Sequence, residues 1–427
     1  MKAYYNITLS HVSTSPLNYW DQARLDDIYM PPNLQLMINK KGSFKKTDRQ
    51  ITDYENVFLN RSKLNKHMFI QGEAGSGKPT FLAKLVMDWC CINTTKSFDT
   101  SQTETTHNTV ADLRVRRTHF FEDLTILNDY IFVFNITLSD SVEQIYILEM
   151  IKQQIIDSLY VKDVREDAYT LLNVIMERER CLVLLDGLDE WTGQGGHYLP
   201  TLAASYRQCD VLITTRPWKL TELKISDSKI DILLQLEGVN EPFDVSKRLL
   251  ACVDESKTSN DVENKQSEFE SYIYNNGLYE QLVSPMMLSL IVQLWVKHIE
   301  IKSSKCELYS LLQDSLLKKA NGETGEFQQP PFRCFKWTQY IEPNIEHVDR
   351  LAEGAFNLLF SDKRNNSLMF SSVELKKYNL DKKERLDFSL KSGILSATRK
   401  VSTLRSSSSF YQHEHARISR CLSHRPQ

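Results

Sequence analysis

Residues 72 to 80 read GEAGSGKPT, and this spacing suits the holding of a phosphate chain. The glycines at Gly72, Gly75 and Gly77 let the backbone through Glu73, Ala74 and Ser76 curl so that successive N–H groups point at one anion, while Lys78 brings a positive charge to the outer phosphates. Pro79 and Thr80 then open the following segment. A glycine-rich turn with a solvated lysine would produce similar letters, so the surroundings decide. The loop follows a short apolar run, HMFIQ, and precedes FLAKLVMDWCCI, whose apolar residues recur at helical spacing. Strand, loop and helix is the context a phosphate loop requires.

A second constellation is CLVLLDGLDEW, residues 181 to 191. An apolar strand ending in acid places Asp186 at the carboxyl edge of a sheet, where a Mg²⁺ bridging nucleotide phosphates needs a carboxylate. Asp189 and Glu190 follow, and either could polarise the water that attacks a γ-phosphate. Alone, the stretch would pass for a solvated acidic loop; beside the glycine-rich loop it favours a nucleotide site. A third run, VLITTRPW over 211 to 218, delivers Thr214, Thr215 and Arg216 to the same edge. Arg216 is either a γ-phosphate sensor or a surface arginine after a strand.

The elements that position these residues follow from the same pattern. YIFVFNI (130 to 136), CLVLL (181 to 185) and DVLIT (210 to 214) are short apolar runs separated by helical segments, which predicts a parallel sheet with helices on both faces. The expected fold is α/β, a P-loop NTPase domain over 51–235, followed by a helical domain over 236–320. A linker and a partial winged-helix domain would occupy 321–427. Residues 1–50, with Pro31 and Pro32 enforcing extended chain, read as a lead-in segment. Asn93 to Arg117, rich in Thr and Ser, reads as a surface excursion, and GETGEFQQPP (322 to 331) as a linker. No internal repeat is present.

Composition narrows the partners. At 427 residues the chain exceeds one hydrophobic core. A net charge of -3 gives no electrostatic footprint for nucleic acid, so none is expected as a partner. The eight cysteines lack CxxC spacing, which speaks against zinc and disulfide frameworks. No apolar segment is long enough for a membrane span or a signal peptide, so the expected location is cytoplasmic. The triplets at Asn6, Asn60 and Asn135 are then chance glycosylation matches.

From about Asp27 to about His413 the sequence resembles the NACHT family of signal-transduction ATPases, which includes the animal NOD-like receptors. GEAGSGK is similar to the family's phosphate loop, LLDGLDE to its acidic motif and TTRP to its sensor segment. SPMMLSLI (284 to 291) resembles the motif whose proline, here Pro285, lies against adenine. ELYSLLQDSLL is similar to the end of the helical domain, and LAEGAF, SLMFSSVEL and LKSGILS to pieces of the winged helix. YQHEH resembles a segment in which a histidine, here His413, reaches the β-phosphate of ADP. The resemblance implies ATP/ADP and Mg²⁺ as cofactors, and an ADP-closed, ATP-opened switch. It also implies self-association, or association with homologous signalling proteins, in innate immune signalling.

Two departures qualify this. The family places Ser or Thr after the phosphate-loop lysine to complete the Mg²⁺ shell, and this chain has Pro79, which supplies neither hydroxyl nor N–H. Hydrolysis should therefore suffer more than binding, and ATPase activity stays an open question. After His413 the family continues into a helix and often sensor repeats, whereas ARISRCLSHRPQ is short and polar, so the chain is expected to be a core fragment or a truncated product. Two other readings remain: a nucleotide-independent adaptor or decoy that associates with homologous switches, and a steadily turning-over P-loop ATPase.

Overall fold

Runs of Val, Ile, Leu and Phe, bounded by Gly, Asp and Asn, form a seven-stranded sheet in the computed structural model. It describes residues 1–14, 22–40, 43–60, 63–64, 66–92, 121–141, 144–191, 198–223, 229–253, 259–299, 301, 308–314, 317, 339–360, 369–370, 372–392, 394–398 and 407–410. The strands are β1 (Pro32–Lys40), β2 (Ser43–Gln50), β3 (His67–Gln71), β4 (Phe132–Thr137), β5 (Cys181–Asp186), β6 (Cys209–Thr215) and β7 (Ile232–Val239). Their order is β2-β1-β7-β3-β6-β5-β4. The five from β7 to β4 are mutually parallel, with Thr215 in register with Gln71, Ile213 with Leu185, and Thr137 with Asp186. Every residue of β6 is buried, as are all but one each of β3 and β5. Burial on both faces is why these strands are continuous apolar runs.

Three helices precede or follow the first parallel strand: α1 (Lys2–Thr8), α2 (Tyr54–Phe58) and α3 (Lys78–Cys91). The buried face of α3 carries Phe81, Leu82, Leu85, Val86 and Trp89, the spacing of a core-facing helix. Its last turn is closed by α1. Lys2 Nζ donates to the carbonyls of Trp89 (3.0 Å) and Cys90 (3.2 Å) and lies 4.5 Å from the Trp89 ring centroid. Last-turn carbonyls of a helix generally lack an intrahelical partner. Tyr5, also on α1, donates from its hydroxyl to the Val133 carbonyl at 2.9 Å and accepts from Asn135 N at 3.1 Å.

The segment to residue 50 is therefore more than a lead-in. It supplies α1 and the two antiparallel strands β1 and β2. Pro32 stands at the first position of β1, where a strand tolerates it. Leu34, Leu36 and Ile38 then alternate, with Leu34 fully buried. The charged residues of β2, Lys45, Lys46, Asp48 and Arg49, suit an edge strand. The sheet also runs past residue 235: β7 continues to Val239, with Leu236 in the core and an irregularity in its pairing with β1 between Leu236 and Val239. The remaining helices of this unit include α4 (Arg165–Arg178) and α5 (Pro217–Leu223).

Residues 1–12, 23–188 and 193–241 make up the sheet unit; 13–22, 189–192 and 242–427 make up a second. In the second, α6 (Pro242–Val253), α7 (Ser259–Asn275) and α8 (Pro285–Val296) bury Phe269, Ile273, Leu288, Ile291 and Leu294. Phe269 meets Trp295 edge-on at 5.5 Å. Ser284 caps α8 by accepting from Met287 N, and Pro285 occupies the first turn. Further on come α9 (Ile345–Phe360), β8 (Met369–Phe370), α10 (Ser372–Lys377), α11 (Lys383–Ser392), β9 (Leu395–Thr398) and β10 (Ser407–Phe410). The three strands form an antiparallel sheet in the order β8-β10-β9. One strand thus lies between α9 and α10, and the other two follow α11.

Candidate functional site

The glycine-rich loop leaves the carboxyl end of β3 and enters α3. Gly72 N donates to the Thr215 carbonyl at 3.1 Å, tying the loop to the end of β6. A Cβ at Gly72 would sit 2.7 Å from both the Leu236 carbonyl oxygen and Ser76 Oγ, so no larger residue fits without displacement. Gly75 (φ 71°) and Gly77 (φ 96°) hold left-handed conformations that favour glycine. Gly77 caps the start of the helix, its carbonyl accepting from Phe81 N at 2.9 Å.

Lys78 opens α3 with its side chain buried, and Nζ donates to the carbonyls of Gly72 (2.7 Å) and Glu73 (2.9 Å). The ammonium is thus held across the loop. Pro79 stands second in α3 and is exposed; Thr80, one residue later, is half-buried. Proline is tolerated there because first-turn N–H groups have no intrahelical acceptor. It removes one of the donors that would otherwise face an anion.

Asp186 ends β5 at the same edge. Thr214, fully buried near the end of β6, donates from Oγ1 to Asp186 Oδ1 at 2.5 Å and accepts from Gly187 N at 2.9 Å. One hydroxyl therefore orients the carboxylate and anchors the turn after it, where Gly187 has φ 83°. Sequence spacing did not reveal that Thr214 is the partner of Asp186. The signal was present in Thr-Thr-Arg at a strand end, but which threonine faces Asp186 depends on strand order.

That order puts β6 between β3 and β5. Two strand spacings, about 10 Å, separate the strand leading into the phosphate loop from the one bearing Asp186. Thr214, Thr215 and Arg216 lie on the strand between them. Arg216 is buried just beyond β6, and its carbonyl accepts from Lys219 N at 3.1 Å as α5 begins.

The residues present fit a phosphate chain. Ser76 Oγ in the loop and Thr215 Oγ1 at the strand end are buried hydroxyls with no hydrogen-bond partner among the described residues, and such groups are rare unless something else satisfies them. The backbone curl at Gly75 and Gly77 and the tight packing at Gly72 complete the cradle. For Mg²⁺ the fit is narrower: Asp186 offers a carboxylate oriented by Thr214, and Pro79 offers no oxygen. Among the described residues, no group of three or more His, Cys, Asp and Glu side chains forms a metal site by itself.

The sheet unit thus brings together Gly72 to Thr80, Asp186 and Arg216. Asp189, buried, and Glu190, half-buried, lie in the short turn Leu188–Glu190 after β5. Both are assigned to the second unit, as is Pro285. His413 lies outside the described residues.

Residues 66–245 match the NACHT domain family. No curated protein matches the chain. Among solved structures it is similar to the Aeropyrum pernix ORC1 protein in complex with DNA, at 12% identity over 84% of this chain and 87% of that one, with a TM-score of 0.30. It is also similar to Cdc6p from Pyrobaculum aerophilum, at 12% identity over 86% and 90%, TM-score 0.27. Drosophila ORC bound to DNA gives 10% identity over 83% and 81%, TM-score 0.28. Superpositions this loose carry no functional argument.

Proposed function

We infer that this chain, whose residues 66–245 form a NACHT domain of the P-loop NTPase class, is an ATP/ADP-binding switch with weak hydrolysis. The observation that supports the reading is the shared sheet edge: a glycine-built loop with buried Lys78, hydroxyls of Ser76 and Thr215 that have no partner among the described residues, and, one strand beyond β6, Asp186 held by Thr214.

The backbone of Gly72 to Gly77 and the start of α3 would bind the phosphates, helped by the helix dipole. Lys78 would exchange its two loop carbonyls for phosphate oxygens. Asp186 would hold Mg²⁺, which neutralises charge on the phosphates when bound. Arg216 would bind the γ-phosphate, and Asp189 or Glu190 would orient the attacking water. Pro79 leaves that Mg²⁺ one protein oxygen short, which impairs turnover more than affinity. Pro285 and His413 would add adenine and β-phosphate contacts from the accessory domains. Because a nucleotide shifts an equilibrium only through different affinity for the two states, those contacts would make ADP favour a closed arrangement and ATP an open one. Opening would allow self-association or pairing with homologous proteins in cytoplasmic, innate immune signalling.

The test is the nucleotide content of purified protein, measured after denaturation, beside a Lys78→Ala variant. Stoichiometric ADP or ATP in the wild type and none in the variant supports the switch. An empty, well-folded wild type that also fails to take up added nucleotide rejects it in favour of a nucleotide-independent adaptor, the reading that the missing hydroxyl at Pro79 favours.

A further inference from the structure

Large apolar side chains exposed among the described residues concentrate in one place. Tyr160, Val161, Val164, Leu171 and Val174 fall within fifteen consecutive positions, and Val161 and Leu171 are 72% and 57% exposed. Helix α4 (Arg165–Arg178) buries Leu172 and Met176 beneath it. Its outer face carries a separate stripe, Asp167, Leu171, Val174 and Arg178, spaced 4, 3 and 4 residues apart, with Val164 three residues ahead of it at the end of the preceding turn. That alternation is the seam by which one helix packs on another.

The stripe is also symmetric in charge. It begins with an acid, Asp167, and ends with a base, Arg178, with Leu171 and Val174 between. A half-turn about an axis between residues 172 and 173 sets Asp167 opposite Arg178, Leu171 opposite Val174, and the reverse of each. Asp167 and Arg178 are exposed and make no ion pair or side-chain hydrogen bond among the described residues. Antiparallel alignment also opposes the two helix dipoles favourably.

We propose that the outer face of α4 is a two-fold self-association surface whose partner is the same helix of a second copy of this chain. Leu171 and Val174 form the apolar centre and two reciprocal Asp167–Arg178 pairs form the rim. A contact in which each patch meets its own copy closes on itself and makes a dimer, not a filament. At about 1.5 Å per residue α4 is about 21 Å long, so the interface is smaller than a standard one and the dimer weak and reversible. The contact needs no nucleotide and does not depend on the switch reading.

Sedimentation velocity on the full chain, in a series up to about 100 µM, tests it in wild type and in Lys78→Ala. Both should show a concentration-dependent monomer–dimer equilibrium. Asp167→Arg and Arg178→Asp, both at exposed positions, should each weaken it at least tenfold (about 1.4 kcal/mol per factor of ten). An equimolar mixture of the two should regain the dimer, because each then meets its opposite charge at both ends. Leu171→Ser should abolish it. A wild type monomeric throughout, association unchanged in the single reversals, or a mixture no stronger than its components would overturn the proposal. If Lys78→Ala is empty of nucleotide yet still dimerises, the surface stands whatever becomes of the switch.

Discussion

At Thr214 one hydroxyl satisfies two groups, the Asp186 carboxylate and the Gly187 N–H. Valine has the same shape and neither bond. Thr214→Val should lower stability by about 1–3 kcal/mol, the usual worth of a hydrogen bond to a charged group and of a neutral one, read as a lower denaturant midpoint. It should also reduce the gain in nucleotide affinity that Mg²⁺ confers, since Asp186 loses the bond that orients it. Thr214→Ser should restore both, and a Val variant with unchanged Mg²⁺ dependence would remove Thr214 from the site. At Pro79 the direction is opposite. Pro79→Ser adds a hydroxyl and an N–H beside the phosphate loop without disturbing the first turn of α3, so Mg²⁺-dependent phosphate release should rise by roughly tenfold or more. No rise in a protein that binds nucleotide would sink this account of Pro79.

The phosphate loop depends on the elements it joins. Gly72 packs against the backbone of β7, so Gly72→Ala must push apart the loop and that strand, or the loop and Ser76. Nucleotide binding should fall sharply in equilibrium titration while far-UV circular dichroism stays unchanged. At its other end α3 is pinned by α1 through Lys2, and in the same last turn by Asp88, which accepts from Tyr54 at 2.8 Å and pairs with Lys84. Lys2→Met removes two hydrogen bonds to last-turn carbonyls and a favourable charge at the helix C-terminus. The expected loss is about 1 kcal/mol, read from urea unfolding. A second pin lies at the amino-terminal edge of the sheet. There the fully buried Asp210 accepts from Tyr130 Oη at 2.9 Å and meets Lys66 Nζ at 3.2 Å, while burial raises its carboxyl above the ordinary range.

The second unit carries an acid-sensitive group. There, His347 is buried with Ser389 Oγ 2.9 Å from Nε2 and the Phe388 ring edge-on at 5.1 Å. Burial first, and the charge of Arg385 second, lower its pKa from 6.5 to about 4. The unfolded chain therefore takes up a proton near pH 6.5 that the folded unit refuses until about 4. This stability is fully present above 6.5 and is lost as the pH falls through that window. Unfolding of His347→Gln should lack the added pH slope that wild type shows there, and equal slopes would refute the assignment. Sequence by itself determined the class of fold and singled out Gly72 to Lys78, Asp186 and Arg216 as candidates, because loop curvature, charge and strand ends are local properties; β3, β5 and β6 were legible because doubly buried strands must be continuous apolar runs. Tertiary structure alone decided the strand order that sets β6 between loop and acid, and hence Thr214 as the partner of Asp186. It decided too that residues 32–50 join the sheet, since polar edge strands carry little periodic signal of their own. Pairing between distant segments depends on which surfaces bury each other, and no local window of residue types contains that information.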